Sequence, residues 1–347
     1  MCVIAGRERM FVGRQYELEQ LDEAYHGGGF VFAAIYGRRY IGKTSLISEF
    51  IKDKEAIYFS ARELTDKYNL EAFTKTIAEH FGISAEGIDT WEAAFHAVHN
   101  HSADRRLILI LDNYTDACLT NRELSAVIAG SIAKRFKDSK LFLILCGSHM
   151  TAIEGEVIGK DSALKEHLTL SLQIKGLPFE DACAFMDGYH ADDKRKLYEC
   201  IGGTPLYLSL IDNRKTADEN ISDLFLNRSG FIYNDMEMAL QKELIGPAVY
   251  NALLRAVAHG KHKSKDILAE TGEKKSKAHK YLNVLISMGI LYRAVPEGED
   301  PLVSRKGTYH FEDNAYRFWY KYVLDNIGRI DRGLEPEICG GTNDVSN

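Results

Sequence analysis

The chain has 347 residues, 45% of them hydrophobic and 27% charged, with a formal net charge of −7. That length allows two or three domains with cores of their own, and the composition is that of a soluble globular protein. No apolar run approaches the roughly 20 residues of a membrane span, and the acidic balance excludes a generally basic surface, so any nucleic-acid contact must come from a local patch.

The N-terminal MCVIAGRERMF lacks a signal-peptide layout, so a mature start near Met1 is expected. Cys2, Cys118, Cys146, Cys183, Cys200 and Cys339 are scattered without a C-x-x-C pair. That argues against a cysteine-built metal site or a disulfide framework and makes the cytoplasm the expected compartment. Residues 15–26 read as an amphipathic helix with Leu18, Leu21 and Tyr25 on one side, closed by Gly27-Gly28-Gly29. Residues 30–36 (FVFAAIY) have the apolar, aromatic and β-branched character of a buried strand.

The next eight residues, Gly37-Arg38-Arg39-Tyr40-Ile41-Gly42-Lys43-Thr44, fit the G-x-x-x-x-G-K-[ST] phosphate loop at every fixed position. From Lys43 onward Leu46, Ile47, Phe50 and Ile51 share one helical face. Strand, glycine loop and helix are the order that phosphate binding requires. Gly37 and Gly42 let successive N–H groups turn inward, and the helix N-terminus adds partial positive charge. Lys43 is expected at the β- and γ-phosphates and the Thr44 hydroxyl on Mg2+. Arg38, Arg39 and Ser45 are counted with them as nucleotide-contacting residues. ATP and Mg2+ are the expected ligands.

Further along, 56–60, 107–111, 141–146 and 168–174 read as strands, and 70–81, 91–101 and 121–136 as helices. Such alternation predicts a parallel α/β sheet, with residues 1–176 as one nucleotide-binding domain. Asp112 follows the LILIL strand, where a carboxylate can bind the Mg2+ held by Thr44 through water. The following residue is Asn113, whose amide can orient a water but cannot accept its proton near neutral pH. Asp116, one helical turn on, is either a substitute base or a solvated turn residue. Ser148, after ILCG, is either a sensor of the γ-phosphate or a helix N-cap.

Residues 179 to about 227 are helical in pattern, with Gly202-Gly203-Thr204-Pro205 as a turn whose proline opens a helix, and 177–246 are expected to form a helical lid. Beyond lie helices at 248–259, 264–270 and 275–288, then strands at 290–294 and 308–311 around a polar loop. Residues 247–330 therefore predict a winged helix-turn-helix, and 331–347 a C-terminal tail. Between His259 and Tyr281 seven lysines face three acids. Lys274, Lys275, Ser276, Lys277 and Lys280, with Arg305 and Lys306 from the loop, are the expected contacts to duplex DNA. Docking of a protein partner is the other reading of that face.

These stretches together resemble the prokaryotic, chiefly archaeal, P-loop ATPases of the AAA+/STAND class that carry a winged helix. The resemblance covers about residues 11–330 through FVGR at 11–14, YGRRYIGKTSLI, LILILDNYTD, ILCGS, GGTPLYL at 202–208 and the lysine-rich segments. It implies an ASCE-type five-stranded parallel sheet with helices on both faces, Val12 and Gly13 beside the adenine, Pro205 near the base, and a catalytic set of Lys43, Asp112, Asn113 and Ser148. Asn113 departs from the glutamate usual there, which implies slow turnover. Many members continue into a nuclease-like domain, whereas this sequence turns into EPEICGGTNDVSN and stops; either that domain is naturally missing or the sequence is truncated, and no nuclease activity is carried over from the resemblance. The expectation is a slow Mg-ATPase whose nucleotide state switches a winged helix bound to DNA, to a protein partner or to another copy of itself. Its rival is a nucleotide-loaded DNA-binding regulator that does not hydrolyse.

Overall fold

Five of the apolar runs are short, β-branched and bounded by glycine or polar residues, and they become the strands of one parallel sheet. The structure, a computed structural model, describes residues 11–334 apart from 103, 245, 301–303 and 305. Chain contacts divide it into two compact units at Ile174 and Lys175.

In the first unit the elements are α1 (Gln15–His26), β1 (Val31–Tyr36), α2 (Lys43–Phe50), β2 (Ala56–Ser60), α3 (Asp66–Phe81), α4 (Trp91–Ser102), β3 (Ile108–Asp112), α5 (Tyr114–Thr120), α6 (Leu124–Lys134), β4 (Phe142–Gly147), α7 (Met150–Ile153) and β5 (Leu170–Gln173). The sheet order is β2-β3-β4-β1-β5, every pair parallel. β4 thus lies between the strand feeding the phosphate loop and the strand ending in Asp112.

Alternation along the strands decides which face each side chain enters. Ala33, Ile35, Ile108, Ile110, Phe142 and Ile144 point to the side covered by Leu21 of α1 and Leu46, Ile47 and Phe50 of α2. Phe32, Ala34, Leu109, Leu111, Leu143 and Leu145 point the other way, against Phe73 and Ile77 of α3, Phe95 of α4 and Ile128 and Ile132 of α6. Both faces are covered, as a parallel sheet requires. Each large apolar side chain withdrawn from water contributes about 1.5–3 kcal/mol.

The second unit holds α8 (Phe179–Ala182), α9 (Ala191–Ile201), α10 (Pro205–Ser209), α11 (Ala217–Phe225), α12 (Phe231–Glu243), α13 (Pro247–Ala258), α14 (Ser264–Thr271), α15 (Lys275–Ser287), β6 (Leu291–Ala294), β7 (Thr308–Phe311) and α16 (Asn314–Phe318). Thr216 and Glu219 form a complete capping box at the start of α11. Gly203 sits where an added Cβ would lie 2.1 Å from the Leu177 carbonyl oxygen, so the GGTP turn depends on its lacking a side chain. β6 and β7 pair antiparallel from Leu291 with Phe311 to Ala294 with Thr308, and Lys263 makes an isolated antiparallel bridge to Thr308. The region is helical with one small hairpin.

Several helices go unread at the sequence level, α5 and α12 among them. α5 has only seven residues, too few to display a period of 3.6. In α12, Ile232, Tyr233, Met236 and Leu240 are all buried and do recur at helical spacing. Among the described residues no helix is long and apolar enough to cross a membrane.

Candidate nucleotide-binding site

The phosphate-loop residues meet at the carboxyl ends of β1, β3 and β4. Gly37 leaves β1 at φ 153°, and a Cβ there would lie 2.4 Å from the Ile174 carbonyl oxygen. Gly42 precedes α2 at φ 96°. Lys43 is buried, and its Nζ donates to the Gly37 and Arg38 carbonyls at 2.8 and 2.9 Å. The ammonium is thereby folded over the loop that a phosphate would fill. Arg38 is buried, while Arg39, Thr44 and Ser45 are exposed.

Three non-glycine residues among those described have positive φ: Arg14 at 70°, Tyr40 at 64° and Asn113 at 52°. Each such conformation costs roughly 1–3 kcal/mol and persists only where its surroundings enforce it. All three lie in the FVGR, phosphate-loop and Asp112 segments. The first two segments are joined directly, since Arg14 Nη2 donates to the Ile41 carbonyl at 3.0 Å. Arg14 also pairs with Glu17 at 3.1 Å, so Val12 and Gly13 are anchored to the phosphate loop through their neighbour.

Asp112 is buried and lies on the α2 side of the sheet, because it continues the alternation of Ile108 and Ile110. Its Oδ2 accepts from the Thr44 hydroxyl at 3.2 Å and from the Tyr58 phenol of β2, and its Oδ1 accepts from the Asn113 backbone N–H at 2.9 Å. Burial and the neighbouring Asp112 charge push the Tyr58 phenol well above its usual range. Burial likewise raises the Cys146 thiol on β4, with Asp112 adding to the effect. A hydroxyl and a carboxylate brought together this way are the hard oxygen donors that Mg2+ takes alongside phosphate oxygens. With the glycine cradle and the buried Lys43, the residues fit a Mg-nucleotide. Thr44 and Asp112 would hold the metal, which when bound supplies charge neutralisation to the phosphates.

Asn113 caps α5, and its Nδ2 donates to Ser60 Oγ of β2 at 3.1 Å. The left-handed backbone suits asparagine better than glutamate. Ser148 is half-buried. It does not cap the following helix, because His149 occupies the N-cap position of α7.

Sequence reasoning singles out neither Tyr58 nor the group around His149. His149 Nε2 lies 3.5 Å from Asp116 Oδ1, and Glu63, Asp116 and His149 each present a ligand atom within 4.8 Å of the others. The Asp116 carboxyl is pushed up chiefly by burial and further by Glu63 and Asp112, against the opposing pull of His149 and Arg39. These residues follow three different strands, so no local spacing reveals them.

In the second unit Lys274 caps α15, and Lys274, Lys275, Ser276, Lys277 and Lys280 are exposed. Lys277 pairs with Glu273 at 3.1 Å, and Lys306 with Glu299 at 2.6 Å. His279, between the lysines, is engaged with Ser264 Oγ at 2.9 Å. Arg305 lies outside the described residues. Pro205 opens α10 as its first residue, and the Arg195 guanidinium lies over the Phe179 ring at 5.5 Å.

Set beside known proteins, residues 11–211 match a family described as an ATPase domain predominantly from Archaea. The chain is similar to the uncharacterized protein MJECL04 of Methanocaldococcus jannaschii, 28% identical over 326 residues, spanning 94% of this chain and 71% of that protein. Its fold is similar to that of the Walker-type ATPase PABY2304 of Pyrococcus abyssi, with TM-score 0.66 and 18% identity over 91% of this chain and 97% of that one. It is also similar to the Aeropyrum pernix ORC2 protein, solved in ADPNP–ADP complexes, with TM-score 0.55 and 14% identity over 95% and 98% of the two chains.

Proposed function

We propose, from the premise that this chain belongs to the archaeal ATPase-domain family and is a P-loop ATPase with an AAA+-like fold, that it is a slow Mg-ATPase whose nucleotide state switches a DNA-binding winged helix. The observation that carries this reading is the meeting of Thr44 and Asp112 at one carboxylate oxygen, beside an Asn113 whose amide is committed to Ser60. Such a site has what nucleotide binding needs and lacks a proton acceptor at the residue after Asp112. Lys43 and the loop amides would hold the phosphates, Ser148 would lie at the sensing position, and Val12 and Gly13 are assigned to the base. In hydrolysis the water oxygen bonds to the γ-phosphorus while the bridging β–γ bond breaks, and the water's proton must be taken up. General-base assistance is typically worth about 10²–10⁴-fold, which is why its absence implies an ATP-loaded protein of long lifetime.

The exposed lysines at the start of α15 support DNA as the output partner, since they can bind phosphates without reading sequence. The ORC2 likeness supports only the fold on which such a switch would be built. The test is duplex DNA binding by the full chain with Mg2+ and a non-hydrolysable ATP analogue or ADP, over a salt series. Affinity should differ between the two nucleotides. Changing Lys274, Lys275 and Lys277 to Glu should lower the slope of log affinity against log salt by about two to three units, near one per lost phosphate contact. Lys277 should count least, because Glu273 already neutralises part of its charge. Absence of DNA affinity at low salt with either nucleotide would move the output to a protein partner. The non-hydrolysing regulator is the second reading, favoured by the same Asn113–Ser60 contact.

A further inference from the structure

The carboxylate of Asp112 is crowded. An ionised carboxylate offers about four lone-pair sites. Here Oδ1 takes the Asn113 N–H, and Oδ2 takes both the Thr44 and Tyr58 hydroxyls, which fills the lone pairs of that oxygen. Whenever Oδ2 accepts from a metal-bound water, one of its two donors must give up its place.

The donors are not equally free to leave. Tyr58 stands in the middle of β2, its residue paired with Ile110 in the β2–β3 register, and its ring packs in the core on the α2 side. Thr44 is different. It is exposed, it sits in the first turn of α2, and its hydroxyl is the one the loop motif assigns to Mg2+.

We propose that Tyr58 is a positioning residue of the magnesium site: its phenol pins Oδ2 of Asp112 so that one lone pair of that oxygen passes from the Thr44 hydroxyl to a metal-bound water. This rests on the reading of Thr44 and Asp112 as the magnesium pair. Tyr58 keeps its hydrogen bond through the exchange and holds the carboxylate plane where the metal's water can reach it. It bonds to a metal-binding group rather than to the metal, and partners of that kind are typically worth about 10–100-fold in metal affinity.

The test is Tyr58→Phe, which removes one oxygen and keeps the ring in the core. Binding of a fluorescent ADP to the full chain is followed in EDTA and then across a Mg2+ titration, with wild type and Asp112→Asn alongside. The variant should bind the nucleotide in EDTA within about twofold of wild type, while the Mg2+ needed for half of the metal-dependent gain rises about tenfold or more, in the direction of Asp112→Asn. An unchanged Mg2+ midpoint overturns the proposal and leaves the magnesium reading intact. Equal losses in EDTA and in Mg2+ also overturn it, since they mark a merely structural phenol. Wild type that gains nothing from Mg2+ removes both the proposal and the reading beneath it.

Discussion

The two units hold their polar chemistry in opposite ways. In the first, Lys43, Arg14 and Asp112 are buried and joined by specific hydrogen bonds at the ends of three strands. In the second, the lysines of α15 are exposed on a helix surface, and the paired Lys277, like Lys306 of the β6–β7 loop, meets a half-buried acid. A buried, preorganised group acts through position, so losing one atom is felt in full. An exposed charge acts through the field it shares with its neighbours, so its loss is graded and screened by salt.

That contrast breaks hardest at Lys43. Lys43→Ala should abolish or greatly weaken ATP binding with the fold intact, because Lys43 supplies the charge that the motif places on the phosphates. The readout is the thermal shift. Ligand at a hundred times its dissociation constant stabilises the native state by about 2.7 kcal/mol, so wild type should gain several degrees with Mg-ATP and the variant almost none. Equal shifts in both proteins would remove the assignment of the loop. No single lysine of α15 should have a comparable effect, and only the triple charge reversal should change DNA binding plainly.

A smaller effect sharpens the same point at Asp116. Its carboxyl is raised in the folded protein, chiefly by burial. A group raised on folding contributes stability below its unfolded value, near pH 4 for an aspartate, and that contribution is lost as pH climbs through the folded value. At neutral pH the ionised Asp116 therefore costs stability. Asp116→Asn should melt slightly higher than wild type at pH 7 to 8, with the advantage gone by about pH 4. A variant that melts lower at neutral pH would show that the His149 contact outweighs burial.

The phosphate loop and Asp112 are legible in the sequence because one contiguous peptide carries the loop and one strand end carries the carboxylate. Alternation along LILILD even fixes the face on which Asp112 lies. Tyr58, Glu63 and His149 are not legible, because their places depend on β2, β3 and β4 being neighbours. Nothing in residues 56–60 alone says which strand lies alongside. Arg14 is a similar case: FVGR reads as a motif, but its bond to Ile41 spans 27 positions. Asn113 reads as a missing glutamate, and only the backbone at φ 52° and the bond to Ser60 show what the asparagine does instead. In the second unit the three helices and hairpin are legible from spacing, as is the lysine run. How far the charge of the loop between β6 and β7 is neutralised is not, since Lys306 and Glu299 meet only when the loop folds back.

Slow turnover is the central claim, and single-turnover hydrolysis of pre-bound Mg-ATP by wild type and Asn113→Glu tests it most directly. Glutamate in this left-handed position should cost about 1 kcal/mol of stability, so the variant is checked by melting first. Wild type should hold ATP through many minutes, and the glutamate variant should hydrolyse at least about tenfold faster with ATP affinity little changed. Fast hydrolysis by wild type, or a glutamate that changes nothing, would contradict that claim and place the base elsewhere, with Asp116 and its neighbour His149 the first residues to replace.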